Sequence, residues 1–412
     1  MISEKTLHKL AVLGGQSFDD REGPPRAGLP RRFLGSDAPG VFPVVLSQGR
    51  VMPLLSTLMT NACSYGCAYC PLRASRDVPR YAFSPEELAG AFMSLRRAGR
   101  AEGLFLTSGV PGSGVTGVDR MIAVAELLRG RHGFKGYIHL KMLPRAGAAQ
   151  LERAAQLATR LSVNLEAATE PGLRALAPEK ELGADLLPAL RRIGGIAREL
   201  RAEGRPGGPL EAGVTTQFIV GAGGESDATV LRASHALQRE GLLRHAHFSA
   251  FVPVAETPME GLPAQPKLRE HRLYQAEHLL REYRFPFEDL PLGGRGDLPL
   301  EEDPKLAWAR RHPEFFPVEL ATAVYEALLR VPGVGPAWAR RLVEARRKVH
   351  LRGFEDLARL GPLRRSAAGW LTLRGKRLGP APAREVQLPL LMPAERRRSR
   401  PSRRDLPPCA FR

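Results

Sequence analysis

Cys63-Ser64-Tyr65-Gly66-Cys67-Ala68-Tyr69-Cys70 holds three of the chain's four cysteines, separated by three and then two residues. A structural zinc site normally takes four protein ligands, and an electron-transfer cluster of the four-iron type uses four cysteines. Here the local count stops at three. A cubane held by three thiolates keeps one iron open to an exogenous ligand, so the vacancy is itself a chemical tool. From the residues alone two other readings stay open: a zinc site completed by Cys409 or a histidine, and chance clustering.

Working outward, Val51–Leu58 reads as a strand running straight into the cysteine loop. Ser84, Pro85 and Glu87 then predict a helix start, with Ser84 as N-cap and Glu87 completing a capping box, and the helix runs to about Arg97. The same rhythm repeats. Strands are expected at 103–108, 137–142, 161–167, 214–220 and 245–252, with helices near 117–129, 148–160, 227–240 and 267–283. Six strands alternating with helices predict a parallel sheet curled toward a full or partial barrel, whose functional groups gather at the strands' C-terminal ends. The cysteine loop follows the first strand, at that end.

A parallel strand covered on both faces should be almost continuously apolar. These alternate instead. Tyr137, His139 and Lys141 share one face against Ile138, Leu140 and Met142; Ser162, Asn164 and Glu166 oppose Val163 and Leu165. Thr215 and Gln217 oppose Val214, Thr216 and Phe218, and His245, His247 and Ser249 oppose Ala246, Phe248 and Ala250. The expectation is an apolar face on the outer helices and a polar face lining a wet interior.

The length of 412 residues allows two or three domains at roughly 150 residues each. There is no apolar run long enough for a bilayer and no signal-peptide pattern, so a cytoplasmic protein with no membrane partner is expected. So few cysteines, three of them clustered, argue for metal binding and against a disulfide scaffold.

Charge is uneven. Residues 311–412 carry 22 Lys/Arg against 9 Asp/Glu, a net of +13, while the rest of the chain is only +5. This basic end contains Val331-Pro332-Gly333-Val334-Gly335 between two expected helices, 320–329 and 336–348. Glycines let such a turn approach a phosphate, and N–H groups at the second helix's start favour an anion. Gly333, Gly335, Arg340 and Arg341 are the candidate phosphate-binding residues, with a degenerate second copy over 355–369. The expected organisation is a lead-in over 1–50, a βα barrel over 51–283, a connection over 284–317, a small all-α module over 318–375 and a basic, disordered tail over 376–412.

The cysteine spacing, with Tyr69 ahead of the last cysteine, resembles the radical S-adenosylmethionine (radical SAM) superfamily. That resemblance implies an α/β partial (βα)6 barrel, a [4Fe-4S] cluster on Cys63, Cys67 and Cys70, and SAM chelated at the open iron. Asn164-Leu165-Glu166 resembles the Asn-Leu-Asp of biotin synthase relatives, whose polar pair holds the ribose of SAM. Gly221-Ala222-Gly223-Gly224-Glu225 resembles the glycine-rich segment near the adenosine. Where many relatives carry Gly-Gly-Glu, this chain has Thr107-Ser108-Gly109, leaving Ser108 or backbone carbonyls to meet the SAM amino group. The implied chemistry is reductive cleavage of SAM, fed by an electron donor such as flavodoxin or ferredoxin, then hydrogen abstraction by a 5′-deoxyadenosyl radical. His139, Lys141 and His247, together with Glu166, are candidate acid/base groups.

The hairpin resembles the helix-hairpin-helix of DNA repair proteins. Nearly the whole chain also resembles a group of DNA modification or repair radical SAM proteins that join a biotin-synthase-like barrel to a helix-hairpin-helix and associate with a uracil-DNA glycosylase-like partner. The stretches that carry this are 102–109, 136–141, 176–180, 268–276 and 329–335. The resemblance implies an enzyme acting on a nucleotide of DNA. The alternatives are a radical SAM enzyme for RNA or a small molecule, and a non-catalytic, metal-stabilised nucleic-acid-binding protein.

Overall fold

The computed structural model describes residues 2–17, 38–45, 50–204, 208–348, 356–357, 360–361, 363 and 365–381. The basic tail with Cys409, and much of the second hairpin copy expected over 355–369, lie outside the described residues.

Helix α1 (Glu4–Gln16) precedes strand β1 (Val41–Val45), and β2 (Val51–Leu58) leads into the cysteine loop. Then come α2 (Pro85–Arg97), β3 (Gly103–Thr107), α3 (Val115–Glu126), β4 (Ile138–Met142), α4 (Ala148–Leu157) and β5 (Arg160–Val163). Helices α5 (Glu170–Leu176) and α6 (Leu187–Ala202) precede β6 (Gly213–Val220), α7 (Asp227–Arg239), β7 (His245–Ala250) and α8 (Lys267–Glu282). The sheet runs in sequence order from β1 to β7. Strands β2 to β7 are parallel, as expected, and the sheet stays open, a curled half barrel.

Strand β1 lies in what the sequence presents as an irregular lead-in. It pairs antiparallel with β2 and covers that strand's outer edge. Its Pro43 stands on a sheet edge, where the lost N–H costs no ladder bond.

Local chemistry explains the helix starts. Ser84 Oγ accepts from Glu87 N–H at 3.0 Å, Glu87 reaches back to Ser84 N–H, and Pro85 occupies the first turn. Helix α2 then buries Leu88, Phe92 and Leu95. The outward strand residues Leu55, Leu104, Leu106, Ile138, Leu140, Val214, Phe218 and Phe248 join that same core. Each such side chain contributes on the order of 1.5–3 kcal/mol when fully buried. The inward face is different: only its base is apolar, where Met52, Leu54 and Phe105 pack with Val44 and Tyr137.

The fifth strand ends at Val163, short of the expected 167. Thr216 Oγ1 donates to Val163 O and accepts from Leu165 N–H, a hydroxyl inserted where the ladder would continue. Glu166 then adopts φ 64° and rejoins β6 through a single bridge to Phe218.

The C-terminal module is not all-α. A second core gathers Leu279, Phe285, Trp308, Leu328, Leu329, Trp338, Leu342, Leu371 and Leu373. Helix α9 (Pro304–Arg311) brings Trp308, so 284–317 supplies core residues as well as joining the barrel to the module. Where a helix is expected from Leu320, the chain forms β8 (Val318–Glu319), then α10 (Tyr325–Arg330), α11 (Pro336–Lys348), α12 (Arg365–Ala368), β9 (Leu371–Leu373) and β10 (Lys376–Arg377). The three short strands make a sheet ordered β10-β9-β8. The Glu319 carboxylate accepts the N–H groups of Ala321, Arg374 and Gly375, binding the end of β8 to the β9–β10 turn. In that turn Arg374 and Gly375 have φ 52° and 76°, the two positive values a tight two-residue hairpin requires.

Candidate cluster and cofactor site

The cysteine loop is held from several sides. Arg80 donates to four of its carbonyls, Asn61 O and Leu72 O through Nη1 and Arg73 O and Arg76 O through Nη2. Asn61 Nδ2 donates to Pro79 O, and Asn61 Oδ1 accepts from Tyr81 N–H. From β3, Met59 N–H reaches Thr107 O and Ser64 N–H reaches Val110 O. Gly109 permits this approach, because a Cβ there would collide with the Ala62 carbonyl. Across the mouth, Ala68 N–H donates to Leu176 O at 2.7 Å and Gly66 N–H to Glu179 Oε1 at 2.7 Å.

Cys63, Cys67 and Cys70 are free thiols. Val110 N–H points at Cys63 Sγ and Leu72 N–H at Cys70 Sγ, each at 3.4 Å, an arrangement that favours negative charge on sulfur. Burial raises Cys67 and pushes Cys70 up to about 12, so these sulfurs need a metal's charge to be thiolates near neutral pH. Among the described residues no three His, Cys, Asp or Glu side chains converge on a single ion. In a cubane each sulfur bonds a different iron, and three sulfurs, two of them with an N–H donor behind, suit that centre.

Beside the thiols lies a pair that sequence reasoning missed. Lys180 Nζ donates to Glu166 Oε1 at 2.9 Å, with the two side chains 10% and 4% exposed. Burial alone would raise Glu166, but Lys180, Lys141 and the Tyr69 hydroxyl outweigh it and hold the carboxyl below its usual range. Burial would lower Lys180, but Glu166 and then Cys67 hold it above the usual lysine range. Both stay charged. The available signal was Lys180 itself, within the 176–180 stretch that figured only in the family resemblance.

The expected site residues thus separate. Cys67, Cys70 and Glu166 gather around Lys180 at the C-terminal ends of the strands, with Cys63 beside the other two thiols and Lys141 near Glu166. Ser108 lies in the β3 loop that packs on Cys63, and its buried Oγ has no hydrogen-bond partner. Asn164 Nδ2 donates to Gln217 Oε1 at 2.8 Å, and Gln217 Nε2 donates to Ser249 Oγ at 2.6 Å, a polar row across β5, β6 and β7. His139, deeper, sits 2.9 Å from Ser162 Oγ with its ring against Phe105. His247 Nε2 lies 3.1 Å from His245 Nε2, at the far edge.

The glycine-rich segment is largely occupied by the chain itself. A Cβ on Gly221, at φ 96°, would run into the Gln265 side chain. Gly223 stacks on Gly172, and Glu225 accepts from Ala168 N–H and from Thr169 Oγ1 at 2.6 Å, joining this loop to the start of α5.

At the C-terminal end, Gly333 (φ 82°) is exposed at the turn before α11, where Gly335 is half-buried. Arg340 and Arg341 are exposed on α11, and Arg341 extends toward Gly361. The buried Lys305 supports the turn from beneath, donating to Val334 O at 2.6 Å.

An open, curled βα sheet with a three-thiol loop after its first parallel strand defines the class of this domain. Residues 57–237 match the model of the Radical SAM superfamily, and the chain therefore carries a radical SAM superfamily domain. The enzymes of that superfamily use a [4Fe-4S] cluster and SAM. No curated protein matches the chain. Among solved structures, it is similar to HydG, a maturase of the [FeFe]-hydrogenase (13% identity, TM-score 0.42, 55% of this chain and 49% of that one). It is also similar to methylornithine synthase PylB (17%, 0.42, 55% and 61%) and to SuiB of Streptococcus suis bound to S-adenosylmethionine (12%, 0.39, 56% and 48%). The chain thus spans about half to three fifths of these structures' lengths. Among the described residues, no helix is long and apolar enough to cross a membrane.

Proposed function

We propose that this chain is a radical SAM enzyme whose half barrel acts on a nucleotide of DNA held by the C-terminal module. When bound, the cluster and SAM supply a 5′-deoxyadenosyl radical able to break an unactivated C–H bond. Cys63, Cys67 and Cys70 would hold the cluster. Ser108 brings an unspent hydroxyl beside them, and Asn164 with Glu166 offers polar groups at the end of β5. The Lys180–Glu166 pair fixes positive charge against the thiols without exposing it to water. His139, Lys141 and His247 line the inward face as proton donors or acceptors, over an apolar base that excludes water.

The observation that carries the substrate class is the exposed Gly333 turn at the start of α11, with Arg340 and Arg341 beside it in the chain's most basic region. Such a helix-hairpin-helix grips backbone phosphate without reading sequence. A base would have to leave the stack to enter the barrel, at a cost of a few kcal/mol, which favours damaged or single-stranded DNA. The reading includes an electron donor such as flavodoxin or ferredoxin and a uracil-DNA glycosylase-like partner.

The test incubates the reduced, reconstituted protein with SAM, with and without defined DNA. Expected are 5′-deoxyadenosine formation that rises with DNA and a mass change in the recovered nucleotides. Vigorous 5′-deoxyadenosine formation indifferent to DNA would refute the substrate class, and stimulation by RNA alone would move it to RNA.

A further inference from the structure

A cleft of about 590 Å³ opens between the end of α8 and helices α10 and α11, away from the thiols. Its walls carry four arginines, Arg281, Arg284, Arg340 and Arg347, with Tyr325 half-buried among them. Arg281 is spent on Glu277 and Glu282. Among the described residues no hydrogen bond or ion pair engages Arg284, Arg340 or Arg347, although Glu344 stands one turn from the last two. Arg340 and Arg347 are seven residues apart, so two turns of α11 present them along one wall about 10 Å apart. Arg284 faces them from the chain after α8, in a left-handed backbone conformation (φ 55°) that strains any residue with a Cβ.

We propose that this cleft seats one strand of nucleic acid, with Arg284, Arg340 and Arg347 on its phosphates and Tyr325 offering its ring to a base. The inference deepens the nucleic-acid reading and rests on it. These three guanidiniums, converging from α11 and from the chain after α8, suit phosphate oxygens, which accept two parallel N–H bonds from each fork. The volume is that of a site for a small ligand, so the cleft takes one or two nucleotides and excludes a duplex. An aromatic face among cations suits a strand better than an acidic peptide, since every base has a face to stack and a carboxylate has none. The location agrees: the Tyr283 hydroxyl, beside the cleft, lies 3.5 Å from where a Cβ on Gly335 would sit, so a strand leaving the cleft meets the glycine turn.

The test uses the full, cluster-loaded chain and the fluorescence anisotropy of labelled oligodeoxythymidine across a salt series. Arg284→Gln with Arg347→Gln should weaken binding about tenfold at low salt and make the logarithmic salt slope shallower by about 1.4, two phosphate contacts at roughly 0.7 each. Tyr325→Leu should weaken binding without changing the slope. Arg153→Gln, a surface control paired with Glu126, should change neither. Unaltered far-ultraviolet circular dichroism and an unaltered urea midpoint report that the variants are folded. A wild-type chain that binds the oligonucleotide while the arginine pair changes nothing would overturn the cleft and leave the broader reading standing. A wild-type chain that holds neither single- nor double-stranded nucleic acid would overturn both. Displacement of the oligonucleotide by polyglutamate at matched charge would make an acidic polypeptide the occupant.

Discussion

Lys180 Nζ lies 2.9 Å from Glu166 Oε1 in a nearly dry site beside the thiols of Cys67 and Cys70. Removing one partner of a buried pair leaves an uncompensated charge and costs about 3–5 kcal/mol. Lys180→Met should therefore lower the unfolding free energy measured in urea by that amount, and adding Glu166→Gln should restore part of it. Equal loss in the single and double variants would show that the two residues are not coupled.

Cluster retention should depend on three cysteines and not the fourth. Replacing Cys63, Cys67 or Cys70 by Ala should abolish the iron content and visible absorbance gained on anaerobic reconstitution. Cys409→Ala should retain both. Loss of iron in the Cys409 variant would make the site a four-thiolate one.

Arg80 joins four carbonyls of the cysteine loop through one guanidinium. Arg80→Lys keeps the charge but not the planar fork, and each unpaired carbonyl costs on the order of 1 kcal/mol. Expected is a chain that loads the cluster incompletely and loses it faster to a chelator. Cluster lifetime equal to wild type would count against the clasp.

Burial holds the Lys305 ammonium down to about 7, with Asp303 opposing the shift and Arg330 adding to it; the Tyr283 ring lies 4.4 Å away and His278 nearby. The unfolded lysine titrates near its ordinary value of about 10.4. Between about pH 7 and 10.4 the unfolded chain binds a proton that the fold does not, so stability from this group rises with pH. The wild-type stability minus that of Lys305→Met should grow across this window by up to about 1.4 kcal/mol per pH unit. A difference flat from pH 6 to 10 would contradict it.

The βα repeat was legible because its strands other than β5 are five to eight residues long and several alternate in polarity; β5 stops early, where the hydroxyl of Thr216 interrupts the ladder. The thiol loop was legible from spacing alone. The strands β8 to β10 were not, since two or three residues carry no period and the pairing depends on Glu319 capturing N–H groups 55 and 56 residues away. Lys180 was hidden for a similar reason: fourteen residues separate it from Glu166, and only the placement of α5 brings them together. Gly221 and Glu225 illustrate the converse, residues whose type suggests a ligand but which contact Gln265, Ala168 and Thr169 of the same chain.

The electron spin resonance spectrum of the reduced, reconstituted protein, recorded before and after adding SAM, tests the central claim most directly. A four-iron cluster held by three thiolates should give a signal that shifts on addition, because SAM reaches the open iron. An iron signal unmoved by saturating SAM, or a chain that retains zinc and no iron, would contradict it.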